Sequence, residues 1–129
     1  MKLLVRVIEA KNLPAIDPNG SIDPYVKLKL GSQRFKTKVV KKCLNPSWCD
    51  EFSFKVEDLK EQLVVTVLNE DKYFNDDFVG SIKIPISQVF DTVDKSLGTI
   101  WYRLQPKKKS KFKECGNLLT YLLSVILCM

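Results

Sequence analysis

The chain has 129 residues, enough for one domain around a single hydrophobic core. It is 45% hydrophobic and 28% charged, as a globular protein is, and its formal net charge of +6 points to an anionic partner. It has no histidine, which removes Ser/His and Cys/His nucleophile systems and histidine metal sites together.

Residues 2 to 9 set Leu3, Val5 and Val7 against Leu4, Arg6 and Ile8, the period of a strand. The run begins at once, with no long apolar region or small-residue cleavage site, so no signal peptide is expected. Leu13 to Val26, LPAIDPNGSIDPYV, reads as a tight surface loop, because Pro18 fixes one backbone angle and Gly20 tolerates angles that other residues avoid. Asp17 and Asp23 stand on it, six residues apart. Tyr25 to Leu30 is the second strand, with Val26, Leu28 and Leu30 on a core face and Tyr25, Lys27 and Lys29 on a basic one. Gly31 and Ser32 turn the chain into the third, Arg34 to Val40, with Phe35, Thr37 and Val39 inward and Lys36 and Lys38 outward. Paired as a hairpin, these strands place Lys27, Lys29, Lys36 and Lys38 on one side, where like charges cost energy unless an anion sits among them.

Lys41 to Trp48 reads as a loop punctuated by Asn45 and Pro46, and Glu51 to Val56 as the fourth strand, with Phe52, Phe54 and Val56 inward. Leu63 to Leu68 is apolar on both faces, as a central strand is. It leads into a second acidic loop, LNEDKYFNDDFVG, where Asn69, Asp71 and Asp77 are joined by Glu70 and Asp76. So many loop carboxylates repel one another unless a cation neutralises them, and oxygen ligands in this number suit a hard ion such as calcium.

Phe78 to Ile84 is the sixth strand, Pro85 to Asp94 holds a helical turn, and Thr99 to Leu104 is the seventh strand. A lysine-rich loop, PKKKSKFK, precedes an eighth strand from Gly116 to about Val125. Eight short strands at this spacing predict an all-β antiparallel sandwich forming a single domain over residues 1–127. If every strand reverses the one before, the loops after strands one, three, five and seven emerge at one end. Both acidic loops and Lys107 to Lys113 then share a pole. Cys43, Cys49, Cys115 and Cys128 make no paired zinc spacing and are expected as reduced thiols.

Three phrases in register, LPAIDPNGSIDPYVKLKL, KTKVVKKCLNPSW and NEDKYFNDDFVGSI, resemble a C2 domain over nearly the whole chain. The resemblance implies an eight-stranded antiparallel Greek-key β-sandwich whose polar loops bind calcium and dock on phospholipid. Because the chain opens on the strand before the first acidic loop and ends on an extra strand, it resembles the type II permutation. Within the family it is most similar to the N-terminal C2 domain of plant C2 and GRAM domain-containing proteins. By motif position, Asp17 and Asp23 correspond to first-loop calcium ligands, and Asn69, Asp71 and Asp77 to third-loop ones. Asn69 departs from the pattern, since calcium-dependent members usually carry Asp there, and an amide oxygen ligates without bringing charge.

Tyr25, Lys27, Lys29, Lys36, Lys38 and Trp48 resemble the lysine-rich cluster that conventional protein kinase C domains use for phosphatidylinositol bisphosphate. Tyr25 and Trp48 are expected to pack against the headgroup ring or donate a hydrogen bond to it. At the loop tips Tyr73, Phe74, Lys107, Lys108 and Lys109 are expected to meet the membrane, with Ile16 and Ile22 flanking the first loop.

These readings converge on a non-enzymatic, calcium-dependent phospholipid-binding module. It is expected to be cytoplasmic and peripheral on anionic membranes carrying phosphatidylserine or phosphoinositides, with calcium as cofactor. The alternative is a calcium-independent protein-interaction module, with a protein partner and a vestigial metal site. Nucleic acid is not expected, because the lysines alternate with core residues on strands and no RNP-like signature or recognition-helix pattern is present. No nucleophile motif, P-loop or acid/base pair argues for an enzyme.

Overall fold

The computed structural model describes residues 1–91, 96–107 and 114–125. The alternating runs form β1 (Lys2–Lys11), β2 (Pro24–Leu30), β3 (Gln33–Lys36), β4 (Ser47–Lys55), β5 (Gln62–Asn69), β6 (Asp77–Pro85), β7 (Ser96–Arg103) and β8 (Asn117–Val125), with one short helix, α1 (Ile86–Phe90). They assemble into two four-stranded antiparallel sheets, ordered β4-β1-β8-β7 and β3-β2-β5-β6. The last strand lies beside the first, the arrangement implied by a type II permutation. The expected eight-stranded sandwich is therefore the fold.

The period-2 pattern places Leu3, Val5 and Val7 of β1, Val26, Leu28 and Leu30 of β2, and Leu63, Val65 and Val67 of β5 in one core between the sheets. β5 sits between β2 and β6, which is why it carries apolar residues on both faces. β8 lies between β1 and β7, with Leu118, Thr120 and Leu122 buried. That interior position accounts for its nearly unbroken apolar sequence.

The two largest departures from the expected boundaries each have a local reason. β3 ends at Lys36 because Thr37 closes the ladder with its side chain: its backbone N–H donates to the Val26 carbonyl at 2.9 Å, while Val26 N–H donates to Thr37 Oγ1 at 2.9 Å. Lys38 N–H then donates to Asp50 Oδ2 at 3.1 Å, handing the chain to the other sheet. β4 starts at Ser47, inside the expected loop, because its pairing with β1 carries a bulge: Val7 opposes Asp50, but Glu9 opposes Ser47. Cys49 takes a positive φ of 53° there.

The connections after β1, β3 and β5 and the described ends of the one after β7 meet at one pole. Leu13 N–H donates to Leu44 O at 3.1 Å, Cys43 N–H to Ile22 O at 3.0 Å, and Glu70 N–H to Asp23 O at 2.9 Å. Leu104 N–H donates to Gly116 O at 3.0 Å, and Gly116 lies against the Lys11 carbonyl.

Candidate functional site

Strand pairing brings the acidic loops together. Asn69 ends β5 opposite both Pro24 at the start of β2 and Asp77 at the start of β6. Asp17 sits in a turn closed by Gly20 N–H donating to its carbonyl at 2.9 Å. Asn69 is only 1% exposed and lies among the acids. Its Oδ1 accepts Asp23 N–H at 2.8 Å, and its Nδ2 donates to Asp17 Oδ1 at 3.1 Å and Asp77 Oδ2 at 3.3 Å. The amide's orientation follows from chemistry: a backbone N–H only donates, so the oxygen faces Asp23 and the two N–H groups face the carboxylates.

The other acids are oriented by backbone amides. Asp23 Oδ1 accepts Lys42 N–H at 2.8 Å, and Asp71 Oδ1 accepts Tyr73 N–H at 2.9 Å and Phe74 N–H at 3.1 Å. Among the described residues the two ion pairs are Arg6 with Glu51 and Arg103 with Glu114, and neither includes an acid of these loops. Asp17, Asp23, Asp71 and Asp77 each keep one oxygen outside these hydrogen bonds, a donor set that suits a hard divalent cation. Among the described residues, no three or more acids converge as a ready-made cage.

A second surface runs down the outer face of the β3-β2-β5-β6 sheet. Register sets Lys27 opposite Lys36 and Thr66, and Lys29 opposite Arg34 and Val64. These residues, with Leu28 and Phe35, line a groove of about 610 Å³. Lys83 extends the second row from β6, opposite Val64. Arg34 joins the expected cluster as a residue that the sequence reading omits, although the signal is present, since it shares strand parity with Lys36. Lys38 is not among the lining residues, because the chain has already turned toward β4.

Two expected headgroup contacts are corrected by burial. Trp48, 1% exposed, shares the inward parity of Phe52 and Phe54 on β4 and donates its Nε1–H to the Pro24 carbonyl at 3.3 Å. Tyr25, 4% exposed, lies at the upper end of the basic face and donates its hydroxyl to Asp76 Oδ2. Burial first, then the Asp76 carboxylate, pushes the Tyr25 phenol well above its usual range. Asp76 is held below the usual carboxylate range, chiefly by the Asp71 N–H at 2.9 Å, then by the Tyr25 hydroxyl, with Lys27 and Lys36 adding to the effect.

At the loop tip Tyr73 and Phe74 are 88% and 80% exposed. Of the two residues flanking the first loop, Ile22 is fully buried and Ile16 packs partly buried against the core. Lys107 is exposed with Nζ 4.9 Å from the centre of the Phe78 ring. Lys108, Lys109 and Cys128 lie outside the described residues. Among the described residues no helix is long and apolar enough to cross a membrane.

A two-sheet sandwich with an acidic loop pole and a cationic sheet face is the architecture of a C2 module. Residues 1–104 match the family model for the C2 domain, and the chain belongs to that family, whose units are non-catalytic modules. It is 63% identical over 119 residues to the C2 and GRAM domain-containing protein At1g03370 of Arabidopsis thaliana, covering 92% of this chain and 12% of that protein. It is 43% identical over 112 residues to multiple C2 domain and transmembrane region protein 6 of the same plant, covering 84% of this chain and 11% of that protein. The first C2 domain of a plant extended synaptotagmin 1 superposes with a TM-score of 0.80 at 28% identity, covering 95% of this chain and 92% of that one. The calcium-bound tandem C2 domains of extended synaptotagmin 2 match with a TM-score of 0.79 at 28% identity, covering 95% and 44%. The chain spans only 11% to 15% of the length of the curated relatives it matches.

Proposed function

We propose that this C2 unit docks on anionic phospholipid membranes, taking a phosphorylated headgroup in the cationic groove and calcium at the acidic pole. The observation that carries the reading is the groove. Lys27, Lys29, Arg34 and Lys36 are held by strand register around about 610 Å³, and none makes an ion pair among the described residues. Like charges fixed this way repel, and an anion relieves the repulsion. The lysines supply point charges and Arg34 a planar fork that grips phosphate oxygens in pairs, which suits a multiply charged phosphoinositide as well as phosphatidylserine.

At the pole, Asp17 and Asp77, with Asp23 and Asp71 beside them, are the residues that would hold calcium. A bound ion supplies the positive charge that lets lipid phosphate approach an otherwise acidic surface. Asp71 braces the loop tip through the Tyr73 and Phe74 amides, presenting both rings to the headgroup layer. A second reading, a calcium-independent protein-interaction module with a vestigial metal site, is favoured by one observation: the Asn69 NH2 group bonds Asp17 and Asp77, two of the carboxylates that an ion would need.

Liposome co-sedimentation at fixed salt tests the proposal, with neutral, phosphatidylserine and phosphatidylinositol bisphosphate vesicles, each in calcium and in chelator. Binding to both anionic vesicles and not to the neutral one is expected. Replacing Lys27, Lys29, Arg34 and Lys36 together by Ala abolishes the bisphosphate preference, and Asp23→Asn with Asp71→Asn removes only the calcium-stimulated part. No binding to anionic vesicles under either condition would place the protein-interaction reading first.

A further inference from the structure

Asn69 has a role that neither the groove nor the calcium reading uses. A side-chain amide has two N–H donors and one carbonyl oxygen, and here all three functions are engaged. The donors go one each to Asp17, on the β1–β2 loop, and Asp77, at the start of β6, while the oxygen takes the Asp23 N–H. The side chain is 1% exposed, so water does not compete for these bonds. Two carboxylates brought this close repel, and donors placed between them offset the repulsion as a cation would.

We infer that Asn69 is a built-in substitute for a cation: its NH2 group ties the two acidic loops of the metal-free chain into one arrangement, so the docking pole is organised before any ion arrives. The tie stands on the hydrogen bonds alone. Its consequence for calcium, that an ion must displace the Asn69 NH2 group from Asp17 and Asp77, rests on the reading of those two residues as ligands. An Asp at position 69 would keep one oxygen on the Asp23 N–H and turn the other toward Asp17 and Asp77. Three carboxylates would then face one another with no donor between them, and the pole would depend on metal.

The test compares thermal unfolding of the 129-residue chain and its Asn69→Asp variant in excess EGTA and in excess calcium. In EGTA the variant is expected to unfold about 5 °C or more below the wild type. Calcium restores it, and by calorimetric titration its calcium affinity is roughly tenfold or more above that of the wild type. A variant as stable as the wild type in EGTA overturns the inference; one destabilised in EGTA but no more responsive to calcium refutes the reading of Asp17 and Asp77 as calcium ligands and leaves the tie standing. Should the variant fail to fold in both conditions, the wild type carries the test by nitrogen-15 NMR. The Asn69 side-chain protons are expected to be protected from solvent exchange in EGTA, and fast exchange there refutes the tie. Vesicle binding separates the two readings: a chain that shows the tie but ignores anionic vesicles refutes membrane docking and leaves the tie standing.

Discussion

Asp76 lies where the acidic pole meets the basic face. It accepts the Asp71 N–H at 2.9 Å and the Tyr25 hydroxyl, with Lys27 and Lys36 nearby, and its carboxyl is held below the usual range by those groups in that order. A carboxyl whose folded pKa is depressed contributes stability above its unfolded value, near about 3.9, and loses it as pH falls through the lower folded value. Because Asp76 is exposed, the contribution to stability is small, and the titration itself is the better readout. Followed by carboxyl carbon-13 NMR, Asp76 should titrate below about 3.9 in the wild type and move up toward that value in Tyr25→Phe. A midpoint unaffected by removing the phenol would show that the hydroxyl does not hold the carboxylate. This pair also marks where sequence alone stops. Alternation puts Tyr25 correctly on the outward face, but only the β5–β6 loop folding over it makes it buried. Trp48 keeps the inward parity of Phe52 and Phe54, which is hidden when β4 is read as starting at Glu51, and the direction of the Asn69 amide depends on an N–H 46 positions away.

At the level of elements, β8 is fastened to β1 by a close backbone approach at Gly116. Its φ is +86°, and a Cβ there would lie 2.4 Å from the Lys11 carbonyl oxygen and 2.8 Å from that of Asn12. Gly20, in the first acidic loop, has a similar φ of +79° but nothing within 4 Å of such a Cβ. The two glycines therefore separate backbone strain from crowding. Gly20→Ala should cost about 1 kcal/mol, the conformational term alone. Gly116→Ala should cost about 3 kcal/mol or more, because strand backbone has to move as well. Urea denaturation of both variants checks this, and equal losses would mean that β8 is not pressed onto β1. Eight strands and a shared loop pole are legible in the sequence because period 2 and strict reversal follow from strand geometry. The end of β3 is not, because Thr37 Oγ1 takes a ladder bond in place of a carbonyl, an exchange that leaves no trace in hydropathy.

Over the whole molecule, the net charge of +6 attracts any anionic surface, so a groove that selects headgroups has to be distinguished from a general field. Lys36 and Lys38 make that distinction. They have the same charge, lie two residues apart and share strand parity, and a field acting at membrane range treats them alike. The fold separates them: Lys36 lines the groove opposite Lys27, while the chain at Lys38 has turned to Asp50 on β4. One lysine near an anionic surface is worth about 1 kcal/mol, roughly fivefold in affinity. In sedimentation against bisphosphate vesicles, Lys36→Ala should lose about that factor and Lys38→Ala much less. On phosphatidylserine vesicles at low salt, where the diffuse field dominates, the difference between them should narrow, and raising salt should weaken both variants and the wild type together. Equal losses at the two positions on bisphosphate vesicles would assign the binding to net charge and remove the groove from the mechanism.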